Sequence, residues 1–423
     1  MNHQTIIVLD FGSQYTQLIA RRLREQGFTI ASIKQSKAAV AKQPISFGGV
    51  KLTDLSIFCR QFSTMIDAGV SLVRCLSVLA EQTANPKLKR IILEIQKEVE
   101  AGQTLLDVTT DKVDVEVGGF LSNVCLACMP VWEEHKIVNM ISVCLDTTIT
   151  GSKCNRYTFR PFDYAPAQAV AFAPYLVGKM GKKWHIAYAD YSWGQSTKDA
   201  YADQIKKAGG EIVGTTGIPL GTADMTPFLS KITGDFDGFF GIFFGKDGVT
   251  IGNQAFDLGL TKKYKWAGDG AIAESTNIPA LGNKIEGFIG INRYIPVLDA
   301  PLNTPAHKKF FDEARIRLKQ IDPSGPLPDR YVQSNYEAIN ALKLGMEKSK
   351  FQGRQDTMKL VEALEGLEMK AGEDFPQGDK VLRREDHQAM LQQFIFEIKG
   401  GKHNIVEVVS KEKVTYPAAC KFA

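Results

Sequence analysis

The chain has 423 residues and lacks an uncharged apolar run as long as the roughly 18 residues a membrane-spanning helix needs. The nearest candidate, Val117–Trp132, is shorter and carries Ser122 and Asn123. Its glycine and proline fit a buried strand and helix better. The opening MNHQTIIVLDFG lacks a basic n-region, and Asp10 interrupts its apolar stretch, so it does not read as a signal peptide. An excess of one charge is also lacking. The formal net charge of +4 gives no reason to expect nucleic acid or an anionic membrane surface as a partner. There is no GxGxxG, no GxxxxGK[ST] and no Ser/His/Asp grouping, so no cofactor is expected. Cysteine is sparse and odd in number, at seven. Cys125 and Cys128 form a CxxC without a second CxxC or a nearby His pair, which argues against zinc and for core residues. Cys144 and Cys154 bracket the polar stretch LDTTITGSK; a disulfide between them is expected only in an oxidising compartment.

What is present falls into three zones. In residues 1–34, TIIVLD is an apolar run rich in β-branched residues and reads as a buried strand. FGS is turn-like, with Ser13 placed to cap a helix. Tyr15, Ile19 and Leu23 form a helical stripe, Gly27 ends it, and FTIASI is a second strand. The unit is βαβ. Residues 35–110 open on a linker (QSKAAVAKQPISFGG) and are helical after it. Phe58, Phe62, Met65 and Gly69 share one face, and Leu72, Leu76 and Leu79 another. Leu88, Ile91, Ile92, Ile95 and Val99 make an amphipathic stripe that Gly102 would cap. From about residue 111, strand-like segments (VDVEVGG, IVNMISV, WHIAYAD, EIVGTTGI, FDGFFGIFF, YKWAGD) alternate with helical ones, which means βαβ units and a parallel sheet. Two long helices follow, Thr304–Ile321 and Tyr331–Lys348. QQFIFEIKGGKHNIVEVVS reads as a hairpin about Gly-Gly. Open parallel sheets take ligands at the carboxyl ends of their strands. That points to Ser122, the 142–148 loop, residues 190–193, residues 244–247 and Asp269.

Each zone carries its own resemblance. VLDFGSQYTQLIARR resembles the start of the glutamine amidotransferase domain of GMP synthetase, but no cysteine sits on a glycine-flanked elbow and no His-Pro-Glu follows. RQFSTMIDAGVSL and LAEQTANPKLK resemble the first cytoplasmic helical repeat of type II secretion and type IV pilus assembly proteins of the F/PilC family. VGGFLSNVCLACMPVWEEHKIVNMIS, CNRYTFRPFDYAPAQAVA, YADYSWGQS, PLGTADMTPFLSKI and KWAGDGAIAE resemble type I periplasmic binding proteins of the branched-chain amino acid class, over about three quarters of the chain.

That last resemblance implies an α/β fold of two lobes, with parallel sheets flanked by helices. The N-lobe would comprise about 111–162 and 294–390, and the C-lobe about 163–293 and 391–423. The N-lobe would lack its opening βα units. The βαβ unit of residues 1–34 could dock where they belong, with the helical zone as an insertion. Otherwise the chain is a mosaic that folds only in part.

By the same resemblance, an amino acid or amide would bind between the lobes without catalysis, for delivery to an ABC permease. Ser122 would grip its carboxylate, unless it merely caps its helix. Ser142 and Asp146 would belong to the second carboxylate-gripping loop, where the Asp146 carboxylate would repel an anionic group, which points to an amide or cationic ligand or to an Asp146 that faces solvent. Trp193 and Phe244 would pack on the ligand or serve as core. Asp269 would hold the ammonium, or cap a helix at the strand end. The resemblance implies the periplasm; the chain as written would stay in the cytoplasm. The runner-up readings are an amidotransferase-type enzyme and a module of a secretion platform.

Overall fold

The computed structural model describes residues 5–9, 29–30, 54, 58, 61–62, 65, 72–100, 113–324, 326–420 and 422. The helix expected over residues 14–26 with its Ser13 cap and Gly27 stop, the linker after it, Gly69 and the Gly102 cap lie outside these residues.

Strands β1 (Thr5–Leu9) and β2 (Thr29–Ile30) pair in parallel, with Thr5 opposite Thr29. Parallel neighbours need a crossover of a dozen or more residues, and residues 10–28 supply that length. Two helices, α1 (Leu72–Gln82) and α2 (Pro86–Glu100), then form a hairpin. Asn85 accepts the N–H groups of Lys87 and Leu88 (3.1 and 3.2 Å), and Pro86 follows it in the first turn, where its missing donor is harmless. Leu76, Ala80, Leu88 and Ile92 bury a small core of their own against Phe58, Phe62 and Ile95.

The chain then returns to β1. Strand β3 (Val115–Gly118) lies parallel to it, with Ile6 opposite Val115 and Leu9 opposite Gly118. Strands β4 (Val138–Ile141) and β5 (Thr158–Phe159) extend the sheet, giving the order β2-β1-β3-β4-β5. The first strand of the chain is therefore an interior strand of the first lobe. β3 and β4 are connected by α3 (Ser122–Glu134).

The second lobe is built on α4 (Ala165–Tyr175), β6 (Lys183–Ala189), α5 (Ser192–Lys207), β7 (Glu211–Ile218), α6 (Thr226–Leu229), β8 (Gly238–Ile242), α7 (Gly245–Asp257), α8 (Leu260–Lys263), β9 (Lys265–Asp269), α9 (Ile278–Leu281) and β10 (Ile289–Asn292). Helices α10 (Pro305–Ile321), α11 (Arg330–Ser349) and α12 (Thr357–Leu364) follow. A small antiparallel sheet of β11 (Glu368–Met369), β12 (Lys380–Leu382) and β13 (Ala389–Met390) comes next. The hairpin of β14 (Gln393–Lys399) and β15 (Lys402–Val409) joins the second sheet, whose order is β15-β14-β10-β9-β8-β6-β7. Gly400 and Gly401 turn it at φ of 56° and 70°, a pair of left-handed residues suited to a two-residue turn. No helix among the described residues is long and apolar enough to cross a membrane.

Alternation along the first sheet sorts its faces. Val115, Val117, Val138, Met140 and Phe159 pack on Ala338, Ile339 and Leu342 of α11 and on Leu360, Val361 and Leu364 of α12. Glu116, Asn139 and Thr158 stand in one registered row and point the other way. All three are buried, and neither Glu116 oxygen, neither Asn139 amide atom nor the Thr158 hydroxyl has a hydrogen-bond partner. Burial drives the Glu116 carboxyl well above the ordinary range, so the folded chain holds it neutral. A raised folded value means that this stability is present below the unfolded pKa and lost as pH rises through the folded one. The slope is about 1.4 kcal/mol per pH unit in that window. Glu116→Gln is expected to leave stability at pH 4 nearly unchanged and to raise it at pH 8. Thermal melts at the two pH values check this.

The cysteine expectation needs correcting. Cys144 pairs with Cys125, and Cys154 pairs with Cys420 (Cα–Cα 6.6 and 5.7 Å); the expected Cys144–Cys154 bridge does not form. Gly119, at φ +92°, turns the chain so closely over the first bridge that a Cβ there would collide with the Cys125 sulfur. Cys125 is thus half of a bridge and not a free core thiol, while Cys128 is free and half-buried. The second partner arrives from 266 residues away, a separation that local spacing cannot reveal. In the chain-entropy view the two loops are worth about 3 and about 5 kcal/mol. Peptide mapping without reductant is expected to return 125–144 and 154–420 pairs. Dithiothreitol is expected to lower the melting temperature, and a 144–154 peptide would contradict the assignment.

Candidate functional site

The six residues singled out from the sequence fall on loops at the carboxyl ends of strands. Ser122 is the first residue of α3 and is buried, but it does not cap the helix. Leu121 holds that position, and the Ser122 hydroxyl oxygen accepts the Asp146 N–H at 3.2 Å. Its own proton remains free to donate. Ser142 gives its N–H to the Gly118 carbonyl (2.9 Å) and its hydroxyl to the Gly119 carbonyl (3.4 Å), so both of its donors tie the loop to β3. Asp146 is buried and does not face solvent. Its Oδ1 accepts the Thr148 N–H (2.7 Å) and hydroxyl (2.6 Å), which turns the carboxylate into its own loop. Arg160, buried beneath, donates to the carbonyls of Cys144 and Asp146, both at 2.9 Å.

Across the cleft, Trp193 opens α5 and Phe244 precedes α7. Their rings meet edge to face at 5.7 Å. Phe244 also meets Phe120, two residues before Ser122, at 5.7 Å, and Phe120 lies 5.3 Å from Tyr331 at the start of α11. Tyr191 completes the group, 6.0 Å from Trp193 and 6.2 Å from Phe244. Loops from both sheets therefore converge on one aromatic lining. The Thr147 N–H donates to the Ser196 hydroxyl of α5 at 3.4 Å across the same gap. Burial raises the Tyr191 phenol well above its usual value, and Tyr331, Asp269, Asp146 and Asp247 add to that, so these groups surround it.

Asp269, at the end of β9, is fully buried. Its Oδ1 accepts the Ala271 N–H (2.8 Å) and pairs with Arg330 Nη2 (2.6 Å). The same guanidinium places Nε 2.9 Å from Glu274 Oε1 as an ion pair without hydrogen-bond alignment, and that oxygen accepts from Asn292 Nδ2 at 3.0 Å. Asp269 Oδ2, Glu274 Oε2, Arg330 Nη1 and the indole N–H of Trp193 have no hydrogen-bond partner. Thr197 and Tyr201, one and two turns along α5 from Trp193, also carry buried hydroxyls without partners. Beside this cluster Arg293 pairs with Asp163 at 3.0 Å, both fully buried. Such a density of unpaired buried polar atoms is costly in a finished core and suits a site that a polar molecule completes.

Sequence reasoning missed Arg330, Glu274, Phe120 and Tyr331, while Tyr191 lies in the 190–193 segment it pointed to. One signal was available for Arg330. The run Arg330-Tyr331-Val332-Gln333-Ser334-Asn335 puts several polar residues into the first turns of a helix, all six of them buried. Asp329 caps that helix by accepting the N–H groups of Tyr331 and Val332, which fixes Arg330 at its mouth. Among the described residues no group of three His, Cys, Asp or Glu side chains is placed to hold a metal ion.

A family model described as periplasmic binding protein matches residues 96–402. The chain belongs to the periplasmic binding protein family. The fold agrees with solved structures of two-lobed members. A periplasmic binding protein from Burkholderia mallei superposes with a TM-score of 0.70 at 16% identity, covering 98% of this chain and 96% of that one. A Rhodopseudomonas palustris BisB5 solute-binding protein of an ABC transporter, in complex with 3,4-dihydroxybenzoic acid, gives 0.69 at 16%, covering 97% and 98%. Among curated relatives, Leu/Ile/Val-binding protein homolog 6 of Brucella suis is 29% identical over 44% of this chain and 46% of its own length.

A second model, type II secretion system protein F, matches residues 58–127. The type IV pilus assembly protein PilC of Myxococcus xanthus is 35% identical over 25% of this chain and 28% of its own. The binding protein thus spans less than half the length of either curated relative. Residues 1–57 lie outside both matched segments.

Proposed function

We propose that this periplasmic binding protein captures an amino acid or related amide between its lobes, without catalysis, and presents it to an ABC permease. The observation that carries this reading is Asp269. It is fully buried at a strand end, with one oxygen paired and the other unpartnered. An ammonium or amide N–H placed there satisfies an atom the fold leaves unsatisfied. The free Ser122 proton at the start of α3 suits a carboxylate, which the helix dipole also favours. The aromatic lining of Phe120, Tyr191, Trp193, Phe244 and Tyr331 suits an apolar side chain. Two disulfides support residence in an oxidising compartment, the periplasm.

The unpartnered donors of Trp193 and Arg330 favour a second reading, an aromatic carboxylate, for which the Rhodopseudomonas complex offers a parallel. Titration of twenty amino acids, their amides and hydroxybenzoates, followed by Trp fluorescence, tests both. A saturable change near micromolar concentration is expected from the amine-bearing set; no response from any compound would end the proposal.

A further inference from the structure

The buried cluster beneath the cleft is one positive charge short. Asp269 and Glu274 share a single guanidinium, Arg330, and all three side chains are at most 2% exposed. The adjacent Asp163–Arg293 pair is balanced within itself, and Arg293 offsets only a minor part of the burial cost at Glu274. With both carboxylates ionised, Asp269, Glu274 and Arg330 together hold a net charge of about −1 away from water, and the buried Asp329 beside them makes the ionised Glu274 still less favourable. Each carboxylate keeps one oxygen without a partner, Asp269 Oδ2 and Glu274 Oε2.

We propose that the ligand's cationic group supplies the missing charge and that its arrival expels a proton from Glu274. This rests on the amino acid reading above. In the free protein burial favours the protonated form of Glu274. Burial pushes it up to about 7, opposed by Arg330, with Asp329 raising it and Asn292 and Arg293 lowering it. The groups facing it are Arg330, Asp329 and Tyr331 from α11, and Asn292, Arg293 and Tyr294 from the end of β10. Asp269 of β9 reaches it through the shared guanidinium. When an ammonium settles between the two unpartnered oxygens, the ionised form becomes the stable one. The carboxylic acid loses its proton to solvent and the ligand keeps its own. The cluster then carries two carboxylates against two cations. Below about pH 7 affinity falls with falling pH, by up to about tenfold per unit, because binding must first remove the proton. Above that value it is flat. A ligand without a cation gains nothing from the ionised form and shows no release.

Calorimetric titration of the whole chain at pH 6.5, in two buffers of different ionisation enthalpy, reads the proton directly. The probes are L-leucine and L-phenylalanine, with 4-methylpentanoate and 3-phenylpropanoate as their amine-free analogues. The expected result is release of between about 0.5 and 1 proton per amino acid bound, and none with Glu274→Gln, which keeps the size and an acceptor for Asn292. Binding of an amino acid without proton release, release that persists in Glu274→Gln, or amine-free analogues that bind as tightly would overturn the inference. Should Glu274→Gln not fold, the pH dependence of the wild-type dissociation constant between pH 5.5 and 8 decides alone. Silence from all four probes removes the amino acid reading and this inference with it.

Discussion

Asp269→Ala is expected to abolish measurable amino acid binding, a loss of at least about 100-fold. The substitution removes the oxygen left for the ligand and also strips Arg330 of its 2.6 Å partner. Breaking one half of a buried, hydrogen-bonded charge pair costs about 3–5 kcal/mol, so a drop in melting temperature should accompany the loss. Asp269→Asn separates the two effects. It retains an acceptor for Arg330 and for the Ala271 N–H but no longer balances an ammonium. Binding should still be lost while most of the stability returns. Fluorescence titration and thermal melts of both variants read the result. Binding within about threefold of wild type in Asp269→Asn would contradict the assignment.

The second large effect is expected far from the cleft, in a segment with an unrelated resemblance. Ile6 is registered with Ile30 on one side and Val115 on the other. Its N–H therefore has a strand to donate to in either direction. Ile6→Pro removes that donor from an interior strand, a position where proline is essentially not found. It also separates β3 from its neighbour and leaves an unpaired edge. The first lobe should lose cooperative melting, bind a hydrophobic dye, and take ligand binding with it, since Ser122 follows β3 directly. Circular dichroism melts and dye fluorescence check this. A wild-type melt would show that β1 adds nothing to the sheet.

Much of the architecture was legible because long periodic segments dominate it. Strands β3, β4 and β6 to β9 alternate with helices along the chain, and the Gly-Gly turn between β14 and β15 announces a hairpin. The two opening strands were also readable, and with them the possibility that β1 completes the sheet. What escaped shares a physical cause. Strands β11 to β13 are two or three residues long, too short for any alternation to show. Cys420 meets Cys154, and Arg330 meets Asp269 across 61 residues, through tertiary approach alone. Asp269 and Ser122 were singled out because they lie at or just after strand ends. Those brought in by α11 or by the turn after β9, Arg330 and Glu274, were not. Asp146 was read as a threat to an anion, yet Thr148 engages its Oδ1 within its own loop.

One measurement reaches the central claim most directly: a crystal structure of the whole chain grown with the tightest-binding amino acid of the panel. The account predicts the ligand enclosed between the two sheets. Its ammonium should lie within hydrogen-bond distance of Asp269 Oδ2 and Glu274 Oε2, and its side chain against Trp193 and Phe244. Density for the ligand outside the cleft, or a bound ligand that leaves Asp269 Oδ2 without a partner, would contradict it.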